Sequence, residues 1–251
     1  MIERTLADST LTLRLNYGKA SALDLELVEA LALAINEAAA DDSVRAVILT
    51  GTGSIFSAGV DLYRLVDQGR DYAQQFLPAL SRMLLDLFAF PKPLVVAVNG
   101  HAIAGGCLFA LAGDYRLMAQ GNGRIGIPEL LVGVAFPPGI IEAIRFALPA
   151  QQIQALLYSG KTVLPDEALQ RGIVDELIDP SALAARADEM ARHFASLPTR
   201  AFGLAKHQLR ETAIDRAKHY AHELDSEVIE IWSAPETHAA IRAYLAKTVK
   251  K

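Results

Sequence analysis

The sequence predicts an α/β core of stacked strand and helix units, followed by an all-helical tail. Three observations carry this. The β-branched runs VRAVILTG and KPLVVAVNG read as strands buried on both faces. After each of them the chain repeats one order: glycine, a short apolar segment, Ala-Gly, then a helix. From about Pro180 onward no further strand pattern occurs. The repeat is weak, but it argues for stacked units rather than a simple doubly wound sheet.

Taken in order, LTLRLNY alternates and reads as a strand, and ALDLELVEALALAINEAAAD follows with helical spacing and ends in a polar turn. After the buried strand VRAVILTG, SIFSAGVDLYRLV enters a glycine turn and resumes as a helix. The second copy runs KPLVVAVNG, HAIAGG and CLFALAGDY as strand, glycine turn and helix start. YRLMA and GRIGI read as short strands, and FPPGIIEAIRFAL as a helix opened by Pro137, Pro138 and Gly139. VLPDEALQRGIVDELI reads as a short helix, a stop at Gly172 and a strand. The remaining segments, from ALAARADEMARHFASL to ETHAAIRAYLAKTV, are helical and amphipathic, a pattern that packs on the core or on a neighbouring subunit.

The chain has 251 residues, long enough to bury a sizeable core. With 52% hydrophobic and 21% charged residues it reads as globular rather than disordered. A formal net charge of −5 provides no general field for phosphate backbones, so no nucleic-acid partner is expected. The closing KTVKK reads as a solvated tail. The amino terminus lacks the apolar run of a secretory signal, and Leu94 to Leu111 is interrupted by Asn99, Gly100 and His101. These features argue against export and membrane insertion and for a cytoplasmic protein. A single cysteine, Cys107, forms no internal disulfide and reads as a small buried residue.

Several motifs yield to blander readings. GTGSIF mimics a dinucleotide fingerprint, but Phe56 stands where the third glycine is needed. His219, His222 and Glu223 in HYAHE match no metal-ligand spacing and read as a solvated helix face, so no metal is expected. No G-x-S-x-G elbow occurs. Two glycine turns at helix starts remain: Ala58, Gly59, Val60 and Asp61 in the first copy, and Ala104, Gly105 and Gly106 in the second. Free N–H groups at a helix start favour an anionic atom, and glycine lets that atom approach. If the two turns converge, they form an oxyanion hole; the alternative is two tight turns in a packed fold.

FSAGVDL, GHAIAGGCLFALAGDYRL, IGIPELLVGV and LPDEALQRGIVDELI, in this order, resemble the crotonase superfamily of enoyl-CoA hydratases and isomerases. The resemblance implies a spiral of repeated ββα units over residues 1–195 and a helical carboxyl-terminal oligomerisation region over 196–251, building a homotrimer or hexamer. It implies an acyl-CoA thioester as substrate and no separate cofactor, CoA being part of the substrate. The thioester oxygen would meet the backbone N–H groups of Val60 and Gly105, with Ala58, Gly59, Asp61 and Leu62 shaping the CoA side. Hydratases of the superfamily carry two glutamates; the first position is Leu108 here and the second is Glu129. The leucine makes the chain most similar to mitochondrial-type Δ3,Δ2-enoyl-CoA isomerases, although Pro128 precedes Glu129 as in hydratases. SAL, Ser21 to Leu23, stands for the family's N-A-L. Tyr244 and Lys247 match the spacing of an aromatic and a lysine that touch CoA from a neighbouring subunit in hydratases.

The expected activity is the shift of a 3-enoyl-CoA double bond to 2-trans-enoyl-CoA, with Glu129 as the single base. Its neighbours Ile127, Leu130 and Leu131 suggest an apolar setting that raises its pKa. Alternatives are an enoyl-CoA hydratase or another reaction of the superfamily on an acyl-CoA thioester, with a second acid from Asp24, Asp61 or Glu142, and a non-catalytic CoA-binding or oligomeric protein.

Overall fold

The computed structural model describes residues 1–248, without the side chains of residues 221, 222 and 248. Most of the KTVKK tail and the His222 side chain therefore lie outside the described residues. The chain opens with a hairpin, β1 (Ile2–Ala7) and β2 (Thr10–Leu15), turning at Asp8 and Ser9, both at positive φ. Helix α1 (Leu25–Ala40) begins where the Asp24 carboxylate accepts the Leu27 N–H at 2.9 Å. Next come β3 (Ala46–Thr50), β4 (Ile55–Ser57) and α2 (Leu62–Ala89), capped by Asp61 and broken at Gly69, whose φ of 64° and ψ of −146° only glycine adopts without strain. The second copy supplies β5 (Leu94–Val98), β6 (His101–Ile103) and α3 (Gly105–Ala112). The third supplies β7 (Tyr115–Ala119), β8 (Ile125–Gly126), a 3-10 turn (Glu129–Val132) and α4 (Pro138–Ala147). The chain then runs through α5 (Ala150–Ser159), β9 (Thr162–Val163), α6 (Pro165–Gln170), β10 (Glu176–Ile178), α7 (Leu183–Ala195), α8 (Thr199–Ser233) and α9 (Pro235–Thr248).

The strands form two sheets. The larger has the order β1-β2-β3-β5-β7-β10 and is parallel after its first hairpin; the smaller has the order β4-β6-β8-β9. Each repeat gives its long strand to the first sheet and its short strand to the second, so the units coil as a spiral. The short apolar segments IFS and HAI, expected only as connections into the glycine turns, are thus strands. Period-2 alternation cannot be read in three residues. The structure also adds β1, α5 and β9, which the sequence patterning left without an element.

The sequence of β3 and β5 explains their place. Val47, Leu49, Val96 and Val98 face the main core, while Ala46, Ile48, Val95 and Ala97 face a second apolar layer. That layer is closed by Leu183, Ala187, Ala191 and Ala195 of α7, a four-residue spacing that puts small side chains in one stripe against the sheet. Cys107 is fully buried, and burial pushes its thiol well above the usual range.

Helix α8 is fixed to the core by ions. Asp114, just after α3, accepts from Lys206 Nζ at 2.6 Å and from Arg210 Nη2 at 2.8 Å, and also takes the Leu94 N–H at 2.8 Å. Lys206 further donates to the Lys92 carbonyl at 3.1 Å, and Arg210 to the Phe88 and Ala112 carbonyls at 2.6 and 3.1 Å. Arg210 lies 4.5 Å over the Phe88 ring. Burial pushes the Lys206 ammonium down to about 8 despite the Asp114 carboxylate beside it. Among the described residues no helix is long and apolar enough to cross a membrane.

The Asp114 clamp predicts an asymmetric outcome. Asp114→Ala strands two buried cations and should cost about 3–5 kcal/mol in urea unfolding, because an unpaired buried charge is far worse than none. Asp114→Asn, which keeps an acceptor, should cost clearly less.

Candidate active site

The two glycine turns meet. A Cβ placed on Gly59 would lie 2.6 Å from Ala104 Cβ and 3.3 Å from the Gly105 nitrogen, so only glycine at position 59 lets the backbones approach this closely. Gly59 itself has φ of 81°. Beside it, Leu23 donates its N–H to the Gly59 carbonyl at 2.8 Å and accepts the Asp61 N–H at 2.9 Å. In this parallel bridge Gly59 and Asp61 turn their backbone groups to Leu23, which leaves the Val60 N–H on the opposite side. Gly105 is the first residue of α3, where a helix N–H has no intrahelical acceptor. Its N-cap, Ala104, holds φ of 54° and ψ of −122°, a strained conformation for a residue with a Cβ. Ala104 keeps it while donating its N–H to Gly126 at 2.8 Å.

Val60 and Gly105 line one cavity. Ala58, Leu62, Leu108, Pro128 and Tyr244 line it as well, and Glu129 is the one carboxylate on its wall among the described residues. Gly59 and Asp61 shape the turn without lining the cavity, Asp61 by accepting the Arg64 N–H at 3.0 Å as the cap of α2. Lys247 lies exposed on α9. Tyr244 reaches the cavity from the α9 of the same chain, whereas the hydratase pattern supplies its aromatic from a neighbour. Trp232, near the end of α8, completes the wall, and its indole N–H donates to the Ala135 carbonyl at 2.8 Å. Sequence reasoning missed Trp232: a lone aromatic in an amphipathic helix carries no mark of where that helix folds.

The three alternative acids lie elsewhere. Asp24 caps α1, accepts from Tyr17 at 2.7 Å and pairs with Arg64 at 3.2 Å. Asp61 is occupied as a cap, and Glu142 is buried on α4 against Arg145 at 2.7 Å and Arg216 at 3.3 Å. None of the three lines the cavity. His219 faces Glu223 at 3.4 Å on an exposed face of α8, and among the described residues no cluster of His, Cys, Asp and Glu is arranged to hold a metal.

Glu129 opens the 3-10 turn that follows Ile127 and Pro128. Its Oε2 is buried and has no hydrogen-bond partner. Burial pushes its carboxyl up to about 8, and a bond from its own backbone N–H opposes this only in part. The expected rise is there, but two of the residues expected to cause it are not: Leu130 and Leu131 are 43% and 57% exposed. A 3-10 turn has three residues per turn, so the neighbours of a buried residue point outward. The apolar surroundings come instead from remote segments, among them Leu108, Ile140 and Trp232.

A sequence profile described as enoyl-CoA hydratase/isomerase matches residues 7–249. The chain belongs to the enoyl-CoA hydratase/isomerase family. Within the family it is 29% identical over 197 residues to the mitochondrial enoyl-CoA delta isomerase 1 of Rattus norvegicus, covering 78% of this chain and 68% of that one. It is equally 29% identical to the short-chain-enoyl-CoA hydratase of Clostridium acetobutylicum over 231 residues, 90% of this chain and 87% of that one. The crystal structure of human mitochondrial delta3-delta2-enoyl-CoA isomerase superposes with a TM-score of 0.95 over 99% of this chain and 98% of that one. At 24% identity that likeness establishes the shared fold.

A carboxyl raised from its ordinary 4.5 to about 8 binds its proton more tightly in the folded than in the unfolded chain, so its contribution to stability is lost as pH rises between those values. Glu129→Gln removes this dependence. The variant should gain melting temperature over the wild type, and the gap should widen from pH 5 to pH 9 in thermal unfolding scans.

Proposed function

We propose that the chain is a Δ3,Δ2-enoyl-CoA isomerase with Glu129 as its single base. The observation that carries this reading is that, among the described residues, Glu129 alone of the carboxylates lines the cavity, with Leu108 lining it as well. Hydration asks for one group to activate water and another to manage the α-proton, whereas moving a double bond needs one group that takes a proton and gives it back. The Glu129 carboxylate removes a proton from C2 of a 3-enoyl thioester. The electron pair spreads into a dienolate, whose oxygen accepts from the Val60 and Gly105 N–H groups, each donor worth about 3 kcal/mol. The Glu129 carboxylic acid then returns the proton to C4, leaving the double bond between C2 and C3 and the enzyme unchanged.

The name of the rat relative supports this reading, and an apolar cavity suits a carbanionic intermediate that must not meet stray water. Lys247, three positions beyond Tyr244 on α9 and exposed, is offered to the CoA phosphates. The helical region 196–251 is read as the oligomerisation region of a homotrimer or hexamer. A second reading, hydration of 2-enoyl-CoA, is favoured by Pro128 before the glutamate and by the name of the Clostridium relative.

Assay of both reactions on the wild-type protein decides between them. Isomerisation of 3-enoyl-CoA should exceed hydration of 2-enoyl-CoA; hydration at a matching rate overturns the first reading. Glu129→Gln should lower isomerase kcat/KM by about 10²–10⁴-fold. The base acts deprotonated, so wild-type kcat/KM should rise with pH through about 8 and then level off.

A further inference from the structure

Ser57, the last residue of β4, is fully buried and lines no part of the cavity. Its hydroxyl donates to the Ser21 carbonyl at 2.8 Å and accepts the Gly59 N–H at 3.2 Å. Both partners are unusual: Ser21 holds φ of 44° and Gly59 φ of 81°. One hydroxyl therefore joins two left-handed residues on separate segments. The same loop is tied to the turn again by the Ala58 N–H on the Ala20 carbonyl at 3.0 Å and by the Leu23 bridge around Val60. On its other side, Ser57 packs against α3. A Cβ on Gly106 would lie 2.5 Å from the Ser57 carbonyl oxygen and 3.0 Å from its Cβ, and one on Gly105 would run into Leu23 Cδ1. Ser57 and the Ser21–Leu23 loop thus touch both turns whose N–H groups are at issue.

We propose that Ser57 is a positioning residue: its hydroxyl, by bridging Ser21 and Gly59, fixes the aim of the Val60 N–H relative to that of Gly105 and so sets how strongly the site holds an enolate. The proposal rests on the oxyanion role given above to these two N–H groups. Without the hydroxyl, the Gly59 N–H and the Ser21 carbonyl are buried with no side-chain partner, and the turn relaxes about Gly59, the residue best able to rotate. A donor that drifts loses contact with charge that develops in the transition state more than with a neutral carbonyl.

The test compares two thioesters on wild type, Ser57→Ala and Ser57→Cys. Acetoacetyl-CoA loses one C2 proton to buffer, through Glu129, and the C–H electron pair becomes an enolate seen by its near-ultraviolet absorbance. Butyryl-CoA stays a neutral carbonyl. Ser57→Ala should weaken enolate capture and lower isomerase kcat by about tenfold, with butyryl-CoA affinity and KM within about twofold. Ser57→Cys, of similar size and a weaker donor, should fall between, and it decides the matter should the alanine variant fail to fold. Equal enolate capture by a folded variant and the wild type overturns the proposal, as does a parallel loss of both affinities, which marks a merely structural role. If the wild type isomerises and the variants match it, the positioning role fails and the isomerase reading stands. If the wild type does not isomerise but enolate capture still depends on Ser57, the reaction is misassigned and the positioning role holds. A wild type that captures no enolate overturns both.

Discussion

The site depends on one steric constraint, the close approach of Gly59 to the Ile103–Gly105 backbone. Two strands in different repeats must deliver their turns within van der Waals distance, and no side chain at position 59 leaves room for that. The spiral arrangement supplies the delivery. The β4 and β6 strands pair in parallel, so their carboxyl ends point the same way and the turns that follow them lie side by side. Ala104 carries part of the cost in its strained backbone, a cost a packed fold maintains where geometry outweighs local preference.

The second requirement is an apolar chamber around Glu129, and part of its wall comes from far along the chain. Trp232 and Tyr244 stand on helices that leave the sheet after residue 195, and α8 is held against the core through Asp114 and two buried cations. These three ions touch no cavity wall near the carboxylate. They fix the helix whose far end carries Trp232, so the electrostatics of the clamp act on the site through the rigidity of α8. A carboxyl with an unpartnered buried oxygen is unfavourable for folding, and the hydrophobic layers on both faces of the larger sheet offset it.

Much of this was legible in the chain. Buried strands announce themselves by β-branched runs, and the glycine turns by their place at helix starts; both are local signals. Glu129 and Leu108 were legible through the order of motifs around them. What local pattern could not carry was anything set by three residues or by folding back. The strands β4 and β6 are too short to alternate, and Trp232 lies 97 positions from the Ala135 carbonyl it meets. Glu129 shows the distinction most clearly. Its immediate neighbours suggest apolar surroundings, yet Leu130 and Leu131 face outward, and residues of α3, α4 and α8 line the cavity with it. Of the three neighbours behind that expectation, Ile127 is buried and the two leucines are not.

Leu108 acquires a double meaning from this. A second carboxylate at that position would stand on the same cavity wall as Glu129, and two like charges sharing a desolvated site cannot both ionise cheaply. With leucine there, no second carboxylate acts on Glu129, and burial, opposed in part by a bond from its own backbone N–H, sets the direction of its pKa. Such a group is well matched to taking and returning one proton near neutral pH, since neither form is strongly favoured. On the isomerase reading proposed above, the absent carboxylate is therefore part of how the remaining one would work, and the apolar side chain at position 108 matters to the cavity alongside Glu129.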